Sequence, residues 1–197
     1  MEWLEFPKPA GGLIALGFLF FAYSIVQTFR KRQVEHLYVS LWYILASLIW
    51  FPLLYVVANL GIYHGVTEAA MNWWFGHNAL AVWFTPIGLA GAYYFIPKVI
   101  GRPIYSYYLG LLGFWAFALF YNWNGIHHLV GGPLPTWLVT VSIVASVMMF
   151  VPVMAVAVNH HLTTIGHFRM LKYSPTLRFV VFGSMSYTAV SFQGSIE

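Results

Sequence analysis

Two aromatic segments of this chain carry the residues that could do chemistry: Trp73-Trp74-Phe75-Gly76-His77-Asn78 and Tyr121-Asn122-Trp123-Asn124-Gly125-Ile126-His127-His128. The first opens one long apolar run and the second closes the next. Two antiparallel helices joined by a short loop bring the start of one beside the end of the other. His77, His127 and His128 are therefore expected to meet at one depth in a membrane. All-imidazole ligation suits copper, zinc or iron, and three ligands leave a coordination position open for a substrate. In the competing reading each histidine only hydrogen-bonds a carbonyl or hydroxyl of the next helix. Coordinating side chains at membrane depth are costly and face the protein interior, so convergence of three favours the functional reading.

Adjacent residues of a regular helix diverge by ~100°. His127 and His128 can serve one ion only if it sits near the helix axis or the turn is loosened, and Gly125 with Gly131-Gly132-Pro133 allows such loosening. Tyr121 lies seven residues before His128, two α-helical turns and nearly the same face. A phenol there would lie beneath the metal, where a donor of protons or hydrogen atoms belongs; otherwise it is a packing residue. Tyr107 lies fourteen residues earlier on roughly the same face, ~21 Å away. With Tyr93, Tyr94, Tyr105, Ser106 and Tyr108, and with Ser184, Tyr187, Thr188 and Ser191 at helical spacing, hydroxyls could line a proton path from one membrane surface. We read its members as Tyr107, Tyr94, Ser106, Ser184 and Thr188, although Ser and Thr are also ordinary packing residues between membrane helices.

The elements that must position these groups are apolar and long. The 197 residues are 60% hydrophobic and 7% charged, with no Asp and no Cys, and mean hydropathy is +0.74. A soluble domain carries about a quarter charged residues, so the composition specifies an all-α integral membrane protein. Without Cys, disulfides, thiolate metal sites and thiol nucleophiles are excluded. The net charge of +4 does not indicate nucleic-acid binding, because the basic residues are split among short connections. The lead Met1-Glu2-Trp3-Leu4-Glu5-Phe6-Pro7 has no basic stretch of the kind a cleaved signal carries.

Crossing a hydrocarbon core of ~30 Å takes about 20 helical residues. Runs of this order occur at 13–29, 39–60, 69–96, 105–129, 137–158 and 177–192, which predicts about six transmembrane helices in one region spanning 1–197. Gly61, then Pro97 with Gly101 and Pro103, then Gly131-Gly132-Pro133 with Pro135 mark breaks. Pro52, Pro86 and Pro152 fall inside runs and are expected to kink helices rather than end them. Arg30, Lys31 and Arg32, then Lys98 and Arg102, then Arg169, Lys172 and Arg178 occupy alternate connections, while Gly61–Glu68 and Val130–Thr136 hold no Lys or Arg. By the positive-inside rule the basic connections are cytoplasmic. His64, His77, His127 and His128 then belong to the outer half. His36, His160, His161 and His167 belong to the cytoplasmic face, too few for a histidine-rich di-iron site and better read as interfacial polar residues.

The stretches WWFGHNALAVWFTPIGLAGAYYFIPKV, YNWNGIHHLVGGPLPTW and AVNHHLT closely resemble the catalytic subunit of the cbb(3)-type, or C-family, cytochrome c oxidases of the haem-copper superfamily. The resemblance implies that His77, His127 and His128 ligate a copper ion facing a high-spin haem. It implies that Tyr121 is covalently linked to His77. In other oxidase branches that tyrosine sits one turn after the first histidine; here that position is Ala81, so the phenol must come from the neighbouring helix. It further implies a second, low-spin haem b, c-type cytochrome partner subunits, dioxygen as substrate, proton translocation and a place in a bacterial inner membrane.

Subunits of that family form a bundle of about twelve helices, and this chain resembles the middle six. The haem ligands are expected on helices outside this region, and the chain is expected to be a central fragment, truncated at both ends and inactive alone. One rival is a nitric oxide reductase, which would hold iron beside a glutamate; Ala81 and the remote Glu68 argue against it. The other is a non-catalytic helical scaffold or transporter, which would bind no metal.

Overall fold

The computed structural model of the protein describes residues 7–196; the lead 1–6 and Glu197 lie outside them. Among the described residues there are helices and no strands. The first column is α1 (Lys8–Arg30) and the second α2 (Val39–Ala58). The third runs without a break through α3 (Val66–Ala79), a π-turn (Leu80–Phe84) and α4 (Thr85–Ile100). The fourth is α5 (Tyr107–Phe120), continued by a 3₁₀ segment (Tyr121–Leu129). The fifth joins α6 (Thr136–Met148) to α7 (Phe150–Thr164), and the last, after a short 3₁₀ turn (Phe168–Lys172), is α8 (Pro175–Ile196). Lys8–Arg30, Val39–Ala58, Val66–Ile100 and Thr136–Thr164 are each long and apolar enough to cross a membrane.

The prolines within the runs act locally. Pro52 stays inside α2. Pro86 has no N–H to give Val82, and its ring would press on that carbonyl in a regular helix. The π-turn just before it widens the backbone instead, and Thr85 N–H bonds to Leu80 O five residues back. Pro97 does not close α4, which continues to Ile100 and ends at Gly101 in a left-handed conformation, φ 77°.

One core packs Tyr43 of α2, Leu89 and Tyr93 of α4, Phe114 and Phe117 of α5 and Val156 of α7. A second joins Leu54 and Ala58 of α2 to Phe75 of α3 and to Ala81 and Val82 of the π-turn. A third holds α8 to α4 through Ile96, Ile100, Leu177 and Val181. α5 crosses α2 closely because Gly110 has no side chain: a Cβ there would lie 2.6 Å from Val39 Cγ2. α1 buries no residue. It leans on α2 and the π-turn through Phe18, whose ring lies 5.2 Å from Phe51 and 5.3 Å from Trp83. Its outer face, with Leu13, Leu19 and Phe20 more than half exposed, is what a bilayer or further membrane helices would cover.

Candidate metal centre

The 3₁₀ segment is the element that builds the site. It packs against both α3 and α6. A Cβ on Gly125 would lie 2.8 Å from Trp73 O and 3.0 Å from Trp74 Cα, so only glycine lets the segment approach the α3 backbone this closely. Asn78 Nδ2 donates to Asn122 O at 3.2 Å, and Asn122 Nδ2 to Ala118 O at 2.7 Å.

These contacts bring three imidazoles together. One ring nitrogen from each of His77, His127 and His128 lies within 4.8 Å of the others, the one grouping of metal-ligand type found among the described residues. Ring centroids of His77 lie 5.0 Å from His127 and 5.6 Å from His128. His127 Nε2 and His128 Nε2 are 3.3 Å apart. His128 stacks on Trp73, centroids 4.2 Å apart and planes at 20°, and His127 Nδ1 lies 2.7 Å from Ser146 Oγ of α6. His77 Nδ1 is buried without a hydrogen-bond partner. A buried nitrogen lone pair with nothing to accept is costly, and a cation among the rings would satisfy it. The donor set therefore fits a copper, zinc or iron ion.

Two expectations about helix geometry need correction. The adjacency of His127 and His128 is met by a tighter turn, not a loosened one: the backbone is 3₁₀ from Tyr121 to Leu129. Tyr121 and His128 consequently do not share a face, since seven steps of ~120° leave them about a third of a turn apart. Tyr121 lies against His77 instead, edge-on, with centroids 5.1 Å apart and planes at 77°.

Ala81, one turn after His77, is fully buried against the second core. Beside the triad opens a cavity of ≈ 620 Å³ walled by Tyr121, Ile143, Met149, Val190 and Ser191 among others, of a size that holds a large flat cofactor.

The hydroxyls read as a proton path separate into two groups. Tyr94 is 47% exposed on the outside of the bundle, with Lys98 Nζ 5.6 Å from its ring centre. Tyr107 Oη accepts from Trp42 Nε1 at 3.1 Å beside the His36 ring. Ser106 caps α5 by accepting from Leu109 N, and Thr188 Oγ1 donates to Ser184 O. A different interior row of hydroxyls, Tyr121, Tyr187 and Tyr93, packs about one core, and Tyr43 stacks on Tyr93 at 5.9 Å. Asn159 Nδ2 donates to Tyr93 Oη at 3.5 Å and to Ser106 O at 2.8 Å. Tyr43 and the two α6 serines, Ser142 and Ser146, escaped the sequence reading. Only the Ser142-x-x-x-Ser146 spacing, which puts two hydroxyls on one helical face, could have signalled any of them.

Of the other histidines, His64 is exposed in the loop after α2. His160 is buried, with Nδ1 2.7 Å from Ser184 Oγ and its ring on Tyr93. His161 Nδ1 donates to Ala157 O and His167 Nδ1 to Ile165 O. Each of these three has a local hydrogen bond, and none joins a ligand grouping.

An all-helical membrane fold with an imidazole triad beside a large open cleft is an arrangement able to hold a metal ion. Residues 3–197 match the family described as cytochrome c and quinol oxidase polypeptide I, and the chain belongs to that family. It is 35% identical to the Cbb3-type cytochrome c oxidase subunit CcoN1 of Stutzerimonas stutzeri over 98% of this chain and 43% of that protein. It is 32% identical to cytochrome c oxidase subunit 1 of Rhodobacter capsulatus, over 92% of this chain and 36% of that one. A quinol oxidase subunit 1 of Sulfolobus acidocaldarius matches at 33% over 46% of this chain and 17% of its own length. The chain thus spans less than half the length of these relatives.

Proposed function

We propose that the chain is part of the catalytic subunit of a cbb(3)-type terminal oxidase, which takes electrons from c-type cytochrome partner subunits and reduces dioxygen to water. The observation that carries this reading is the origin of the phenol at the triad. Ala81 occupies the position one turn after His77, and Tyr121 reaches His77 from the neighbouring column. That arrangement is the one the resemblance to the C family implies, and a nitric oxide reductase would have no use for it.

In this reading His77, His127 and His128 hold copper, and the ≈ 620 Å³ cavity beside them receives the high-spin haem b. Copper and haem together supply the site where dioxygen is bound and reduced. The chain's own residues orient and feed that site. Tyr121, joined to His77, provides a proton and an electron. The interior row Tyr187, Tyr93 and Asn159 carries protons from the cytoplasmic side, part of them translocated. Tyr43 Oη is buried without a protein partner, which favours water bridging along this row. The basic connections support a cytoplasmic position for the row's far end, and the membrane in this reading is a bacterial inner membrane.

Metal and haem analysis of the full-length subunit in its membrane complex tests the reading. Copper and haem b together with cytochrome c oxidation are expected; iron without copper would overturn it in favour of nitric oxide reduction.

A further inference from the structure

α6 meets the 3₁₀ segment through two buried serines one turn apart, and their hydrogen bonds differ in sense. Ser142 Oγ donates to Asn124 O at 2.7 Å. Ser146 Oγ donates to Ser142 O at 2.9 Å and lies 2.7 Å from His127 Nδ1. On its other side His127 turns Nε2 toward the triad, 3.3 Å from His128 Nε2. A metal among the three rings therefore takes His127 through Nε2. The ring's proton must then reside on Nδ1, and Nδ1–H needs an acceptor. Ser146 Oγ can serve because its own proton is directed to the Ser142 carbonyl, which leaves its lone pairs facing the imidazole.

We propose that Ser146 is a positioning residue that fixes the tautomer and ring orientation of His127, so that α6 sets the geometry of the metal site without contributing a ligand. Outer partners of ligating histidines act in this way generally: they hold the ring and raise the basicity of the metal-facing nitrogen. The two serines divide the work. Ser142 anchors the backbone of the segment at Asn124, and Ser146 aims the side chain three residues later. The inference rests on the reading of the triad as a copper site.

The test compares Ser146→Ala, Ser146→Thr and Ser142→Ala in the full-length subunit within its complex. Two readouts are followed: copper retained against a graded series of chelators, and the infrared stretch of carbon monoxide bound to the copper. Ser146→Ala is expected to weaken copper retention about 10–100-fold and to shift the stretch. Ser146→Thr keeps an acceptor and restores both. Ser142→Ala removes a backbone anchor but leaves the acceptor of His127, so the stretch stays at the wild-type frequency. Equal shifts in Ser142→Ala and Ser146→Ala would reduce the effect to helix packing and overturn the proposal. Wild-type retention and stretch in Ser146→Ala would overturn it while leaving the copper reading intact. A wild-type subunit without copper would remove the copper reading itself, and this inference with it.

Discussion

Tyr121 meets His77 edge-on from a different helical column, with ring centroids 5.1 Å apart. The contact exists because the chain turns 3₁₀ at Tyr121, which swings the phenol away from the face of His128 and toward α3. If the two side chains are joined, proteolysis of the full-length protein releases the peptides bearing His77 and Tyr121 as a single species, lighter than their sum by the hydrogens lost in bond formation. Tyr121→Phe removes the joined species and is expected to lower oxygen reduction by about 10²-fold or more while copper content holds. Intact activity in this variant would remove Tyr121 from the reaction.

Gly125→Ala should loosen the same site from its backbone. The new methyl would sit 2.8 Å from Trp73 O and 3.0 Å from Trp74 Cα, backbone atoms with no rotamer to change. Overpacking of this kind costs about 1–3 kcal/mol. We expect a lower melting temperature and reduced copper occupancy together, read by thermal unfolding in detergent and metal analysis. A fall in stability with full occupancy would mean that the segment can shift without disturbing the ligands.

Much of the fold was legible because a bilayer leaves few options. Apolar runs of the right length, divided by Gly and Pro at 61, 97–103 and 131–135, correspond to the observed columns, and the antiparallel logic brings His77 to His127 and His128. What stayed hidden depends on departures from regular α-helix. The π-turn before Pro86 and the 3₁₀ winding after Phe120 change which side chains share a face, so counting turns from Tyr121 to His128 misplaced the phenol. The hydroxyl row was hidden for a different reason. Tyr93 and Tyr94 are neighbours in sequence, and no periodicity in so apolar a run tells which one points inward; Tyr93 is 4% exposed and Tyr94 47%.

Asn159 ties the start of α5 to α7. Its Oδ1 accepts from Ser106 N at 3.0 Å and its Nδ2 donates to Ser106 O at 2.8 Å. Asn159→Ala leaves Ser106 N unpaired in a half-buried place, while Ser106 O still accepts from Gly110 N at 3.1 Å. One unsatisfied group costs about 1–3 kcal/mol, and thermal unfolding should show a loss of that order. Substitution by Asp, which keeps the acceptor for Ser106 N, should recover part of it. An unchanged melting temperature for the alanine variant would show that water replaces the bond to Ser106 N.

The two hydroxyl groups make opposite predictions about proton delivery. In the interior row Tyr187 packs against the same core as Tyr121 and Tyr93, so Tyr187→Phe is expected to interrupt the connection to the metal centre. Oxygen reduction should fall by about 10²-fold, the lower end of what a positioned proton donor contributes. Reduction of the haems by cytochrome c should be unaffected, because electrons do not pass along the row. Tyr94→Phe alters a ring on the outer surface of the bundle and should leave turnover unchanged. Flow-flash measurement of the proton-coupled phase in both variants decides between the routes. Slowing in Tyr94→Phe with normal kinetics in Tyr187→Phe would return the path to the outward-facing hydroxyls. Slowing confined to Tyr187→Phe would assign it to the row that ends on Tyr121.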